Sequence, residues 1–173
     1  MLLIVVGAAV ISGRYAVRLR ERAREHAAKA SEAVPVAPEE PRSRVMLVVP
    51  DEQSGSMRRA EVALALPAEQ SLRGAAILEE LLRERGGRSG RAIDAVYVPA
   101  LEKATAVVDL SREMAESQPS GIWAETLTLQ SMVETLHAND VEIRRVRFLI
   151  AGKEAETLAG HADLKVAYEV EEH

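Results

Sequence analysis

The sequence predicts an α+β domain: a mostly antiparallel sheet with two helices on one face, in the order β-β-α-β-β-α-β-β, preceded by an N-terminal membrane-anchor helix. Three observations predict it. Several short runs rich in Val, Ile and Leu are separated by turn residues, as strands are. Two longer segments carry apolar residues at helical spacing. The first eleven residues, MLLIVVGAAVI, are almost wholly apolar. Two helices packed on one sheet is the economical way for such elements to bury their apolar faces.

The chain has 173 residues and a formal net charge of -5, which suits one domain with an appendage. Hydrophobic residues make up 47% and charged residues 28%, enough apolar content for a packed core. Aromatics are only 3%, so that core is built from Ala, Val, Leu and Ile. There is no cysteine, which excludes disulfides, thiol catalysis, cysteine zinc sites and an acylated lipoprotein cysteine. Mild acidity argues against nucleic acid as a partner, because a phosphate binder presents a basic face.

The N-terminal apolar run admits three readings: the end of a signal-anchor helix, a buried element of the domain, or a cleaved signal peptide. The first is adopted, because the basic residues follow the run rather than precede it and no cleavage site is visible. A spanning helix needs about 20 apolar residues, so Arg14 must snorkel or the start must lie upstream. Arg14, Arg18, Arg20, Arg22 and Arg24 all follow the run. The positive-inside rule would keep that side cytoplasmic, which runs against an extracytoplasmic domain. Residues 1–28 are thus expected to be an anchor and juxtamembrane helix. Residues 29–43, with Pro35, Pro38 and Pro41, are expected to be an extended linker. The domain is expected over 44–170.

Within it, 44–50 and 59–66 form a hairpin; Val62, Leu64 and Leu66 share one face of the second strand with Ala60. Ser71 is the expected N-cap of a helix over 72–85. The glycine-rich stretch 86–90 follows that helix and leads to a strand, so it reads as a C-cap and loop rather than a phosphate cradle. Strands are expected over 93–101 and 105–110. Ser111 caps a short turn. The longest helix, 121–138, is expected to be amphipathic, with Ile122, Thr126, Leu129, Val133 and Leu136 as its stripe and Trp123 in core or interface packing. Strands over 143–151, 155–158 and 164–170 close the domain.

No catalytic, cofactor-binding or metal-ligating set is expected. His26 is in the linker and His173 is the last residue. His137 stands at a helix end, where an imidazolium suits the dipole. His161 and Asp163 are two residues apart, but two ligands do not make a metal site; a turn-stabilising hydrogen bond from Asp163 is the expectation. Asp109 and Ser111 lack both a placed histidine and the Gly-x-Ser-x-Gly elbow of a nucleophile. Glu113, Glu116 and Glu125 form no evident carboxylate pair.

The tetrad Val108–Ser111, containing Asp109 and Ser111, begins a series of motifs. A helix centre with Leu129, Val133, Thr135 and Leu136 follows, then a Gly152–Lys153 turn, then a tail with Gly160, His161 and Asp163. In order and spacing, over residues 44–168, this resembles the GerMN domain of sporulation and spore-germination proteins. The resemblance implies a non-enzymatic, extracytoplasmic domain with no cofactor. Members are usually lipoproteins or membrane-anchored, and related folds at the sporulation septum assemble into rings or channels. This sequence departs from the pattern in lacking a lipobox cysteine and a tandem second copy. The implied protein is a single-pass cell-membrane protein held by its N-terminal helix, a cell-envelope scaffold or interaction domain. Its partners would be envelope proteins or a second copy of itself. The alternative is a peptidoglycan-binding accessory domain using Trp123 or the Arg144, Arg145 and Arg147 ladder. An enzyme using Asp109, His137 or His161 is the remaining class.

Overall fold

The computed structural model describes residues 41–51, 53–86 and 91–171. The expected anchor, the linker as far as residue 40, His26, His173 and the glycine loop beyond Gly86 lie outside the described residues. The elements are β1 (Arg42–Pro50), β2 (Met57–Ala65), α1 (Gln70–Glu84), β3 (Ile93–Tyr97), β4 (Thr105–Leu110), α2 (Arg112–Ser117), α3 (Ile122–Asn139), β5 (Arg145–Ile150) and β6 (Tyr168–Glu169). The class is α+β as expected, with two sheets and three helices among the described residues.

β1 and β2 form a separate antiparallel hairpin running without a bulge from Arg42↔Ala65 to Pro50↔Met57. The other four strands lie in the order β3-β4-β5-β6. The mostly antiparallel expectation holds for the other strand pairs, but β4 and β5 are parallel from Thr105↔Arg145 to Leu110↔Ile150. The reason is α3. A long crossover helix carries the chain back to the end at which β4 began, and only a parallel strand can start there.

α3 also departs from the amphipathic expectation. Its buried residues run unbroken from Leu127 to Leu136, and Glu125 is buried too, while Ile122 and Trp123 are more than half exposed. It is a central helix, with Leu129, Met132 and Val133 fully inside the core. Two of its buried hydroxyls are satisfied within the helix itself. The Thr128 hydroxyl donates to Ala124 O (2.8 Å) and that of Ser131 to Thr128 O (2.8 Å). Trp123 lies instead over Gly55 in the β1–β2 turn, where an added Cβ would run into its ring.

α3 also covers one edge of the hairpin. Asn139 accepts from Met46 N (3.0 Å) and donates to Met46 O (2.7 Å), and the Thr135 hydroxyl accepts from Val48 N (2.9 Å). An edge strand's unpaired groups are thereby met by side chains one helical turn apart. The core around these elements takes in Leu47, Leu78, Leu81, Val108, Val146 and Phe148, with Phe148 edge-on to Tyr168 at 5.6 Å.

Other differences are local. α1 opens at Gln70 with Glu69 at the cap position, and the Ser71 hydroxyl donates to Glu69 rather than capping. β3 stops at Tyr97, two residues before Pro99. The expected turn after Ser111 is α2, and Ser111 caps it by accepting from Met114 N (3.0 Å). The expected strand at 155–158 is a single bridge, Thr157↔Asp163, and that at 164–170 shrinks to β6. This C-terminal stretch is held by side chains rather than by a ladder.

Candidate functional site

The densest polar constellation is one the sequence did not announce. Glu125 lies in the first turn of α3 and is 0% exposed. One carboxylate oxygen, Oε2, accepts from three backbone N–H groups, Ala159 (3.0 Å), His161 (3.1 Å) and Ala162 (2.9 Å). The other, Oε1, accepts from Gly121 N (3.1 Å) and lies 2.9 Å from His161 Nδ1. Burial by itself pushes this carboxyl up, but the N–H groups of Ala162, Ala159 and Gly121 and the His161 ring outweigh it and hold the group down at about 2. The carboxylate is therefore ionised near neutrality, in a cradle of backbone donors at a helix N-terminus.

That geometry settles what the group can do chemically. An acid held this low is neither a proton donor nor a useful base near neutral pH. Ser120 Oγ lies 3.4 Å from His161 Nδ1, the same ring nitrogen that Glu125 engages. A nucleophile triad needs the hydroxyl on one imidazole nitrogen and the acid on the other. The arrangement instead ties the 159–162 loop to the start of α3.

The other expected positions are also engaged in bracing. Asp109 Oδ1 accepts from Gly152 N (2.8 Å), joining the end of β4 to the turn after β5. That turn has positive φ at both Ala151 (50°) and Gly152 (74°), and Ile150 and Lys153 exchange backbone hydrogen bonds across it (2.9 and 3.1 Å). Leu129, Val133 and Leu136 are core residues, and Thr135 holds β1. Gly160 sits at φ 113°, within the loop that Glu125 grips. Asp163 makes the expected turn bond, accepting from Lys165 N (2.8 Å). The His137 ring is 2.8 Å from Ile143 O, pinning the loop after α3. No hydrogen bond joins Asp109, His137 and His161 to one another among the described residues.

A second acid missed by the sequence reading is Glu134. It accepts from Gln130 Nε2 (3.1 Å) and Glu171 N (2.8 Å), while Gln130 also donates to Glu169 O (3.0 Å). α3 thus secures the β6 segment as well. Glu79 plays the same part from α1, accepting from Ala92 N (2.7 Å) and Ile93 N (2.8 Å) at the start of β3. A shallow depression of 340 Å³ lies at the β4–β5 end, lined by Glu102, Ala104, Thr105, Arg145, Arg147 and Ala167. Among the described residues no cluster of three or more His, Asp or Glu could hold a metal ion, and no helix is long and apolar enough to cross a membrane.

Fold and site together define a small α+β module whose charged side chains hold backbone in place. The chain belongs to the Germane family, described as sporulation and spore germination, whose pattern matches residues 44–156. Its fold is similar to that of the tandem GerMN domains of the sporulation protein GerM from Bacillus subtilis, at 19% identity and a TM-score of 0.51. That similarity covers 71% of this chain and 44% of the tandem chain, so this chain spans less than half of that protein's length. The first GerMN domain of the same protein matches at 18% identity and a TM-score of 0.46, over 74% of this chain and 96% of that one. No curated protein matches the chain.

Proposed function

We propose that this protein is a non-catalytic interaction module of the cell envelope. Residues 1–28 tether it to the membrane, residues 29–43 are a spacer, and the domain over 44–170 is held outside the cytoplasm. One observation carries the reading: Glu125, the most strongly perturbed acid described, is wholly committed to gripping the 159–162 loop. In an enzyme of this size, a buried and perturbed carboxylate would be the first candidate for chemistry. Here it is a strut. The Germane membership and the apolar N-terminal run support the envelope setting.

Affinity capture of the full-length chain from solubilised envelope membranes tests it. The expected result is stoichiometric recovery of an envelope protein or of a second copy. A chain that stays monomeric at high concentration and recovers neither contradicts the proposal.

A second reading, a cell-wall-binding accessory domain, has one observation in its favour. Arg145 and Arg147 are exposed on β5 and line the shallow depression. Arg147 is also paired with Glu154 (2.9 Å), which lowers the positive charge on offer. Co-sedimentation with purified peptidoglycan separates the two readings: the interaction module stays in the supernatant.

A further inference from the structure

The two edges of the hairpin are treated differently. β1 turns the N–H groups of Met46 and Val48 towards α3, where Asn139 and Thr135 receive them. β2 is nine residues long, is hydrogen-bonded to β1 alone among the described residues, and contains no proline, lysine or bulge. Those are among the devices that blunt an edge strand; the charges that β2 does carry are Arg58, Arg59 and Glu61.

The register says which groups face outwards. One step beyond the Pro50↔Met57 pair, Asp51 N donates to Ser56 O (2.8 Å). In an antiparallel pair the hydrogen-bonded residues alternate. Odd-numbered β1 residues therefore bond even-numbered β2 residues, in agreement with the outward N–H groups of Met46 and Val48. Met57, Arg59, Glu61 and Ala63 then direct their N–H and C=O groups to the open edge of β2. On the core side of the same strand, Ala60, Val62 and Leu64 are only half-buried.

We propose that β2 pairs antiparallel with β2 of a second copy, with Ala60 on the two-fold axis, joining two hairpins into one four-stranded sheet. This rests on the interaction-module reading and names its partner and surface. The charge pattern selects both the partner and the register. Outward groups meet outward groups only when the axis passes through a residue. An axis at Arg59 or at Glu61 sets like charges directly opposite each other. An axis at Val62 sets Arg59 opposite Ala65 and Glu61 opposite Ala63, with no opposite-charge pair. With Ala60 on the axis, Arg59 faces Glu61 of the second copy and Glu61 faces its Arg59, an opposite-charge pair made twice. With this axis Ala60 meets Ala60 at the centre of the junction, while Val62 lies opposite Arg58 of the second copy.

The full-length chain, purified in detergent and followed by analytical ultracentrifugation, tests this. A dimer is expected. Glu61→Arg weakens it about ten-fold, because two favourable cross-strand pairs become repulsive. The double variant Arg59→Glu/Glu61→Arg restores it by exchanging the signs. The chain has no native cysteine, so cross-links report introduced ones. Ala60→Cys should oxidise to a linked dimer, since residues opposite each other at a non-hydrogen-bonded site lie about 4.5 Å apart at Cα. A dimer indifferent to Glu61→Arg, or cross-linked through Val62→Cys and not Ala60→Cys, overturns the pairing. So does a monomer. A monomer that still captures another envelope protein leaves the interaction-module reading standing; a monomer that captures nothing overturns both.

Discussion

Replacing Glu125 by glutamine keeps the shape of the side chain and removes its charge. The magnitude follows from the cradle. The carboxyl sits at about 2 in the folded chain, against an ordinary value of 4.5. Each unit of such a difference corresponds to about 1.4 kcal/mol between the ionised and neutral forms, so the ionised form contributes roughly 3 kcal/mol. Glutamine resembles the neutral form and fares no better. Both oxygens accept N–H groups, and an amide turns an NH2 donor towards one of those sets in either orientation. Urea unfolding at pH 7 should show Glu125→Gln destabilised by about 3 kcal/mol with an unchanged denaturant slope. The pH dependence has a definite sign. A depressed folded value means the contribution is complete above about pH 5 and is lost as the pH falls towards 2. The gap between wild type and Glu125→Gln therefore narrows on acidification through that window. A gap under about 0.5 kcal/mol at pH 7, or one that stays constant down to pH 2.5, is incompatible with a carboxylate held ionised by this cradle.

Thr135→Val, nearly isosteric, leaves the buried Val48 N–H without its acceptor and should cost about 1–3 kcal/mol by the same unfolding measurement. Ala151→Asn should stabilise by about 0.5–1 kcal/mol, read as a raised Tm, because the Ala151–Gly152 turn has positive φ at both positions and asparagine tolerates that geometry better than alanine. Gly55→Ala places a methyl group against the Trp123 ring at a positive-φ position, so it should lower stability by more than about 1 kcal/mol. It should also shift the fluorescence of the chain's single tryptophan.

Elements whose own residues dictate them were legible in the sequence. The alternation in β2, the helical spacing in α1 and α3, the Ser111 cap and the turn at Gly152 are all local patterns, and the structure has each within a residue or two. What escaped reading depends on partners far along the chain. Glu125 Oε2 finds its donors 34 to 37 residues away, and little local distinguishes it from Glu113 or Glu116. Asn139 reads as a helix stop, but its amide serves β1, 93 residues earlier. The parallel β4–β5 pairing follows from where α3 delivers the chain, not from the composition of either strand. The motif residues Asp109, Thr135 and His161 were visible as positions, but their work became clear only with their backbone partners. Each one stitches together segments that the sequence presents separately.

We propose a braced, non-catalytic domain displayed on the outer side of the membrane by its N-terminal tether. A topology reporter fused after His173 of the full-length chain, active on one side of the membrane only, tests that most directly. The expected result is activity outside the cytoplasm, abolished as membrane-bound signal when residues 1–28 are deleted. Activity confined to the cytoplasm would contradict the account.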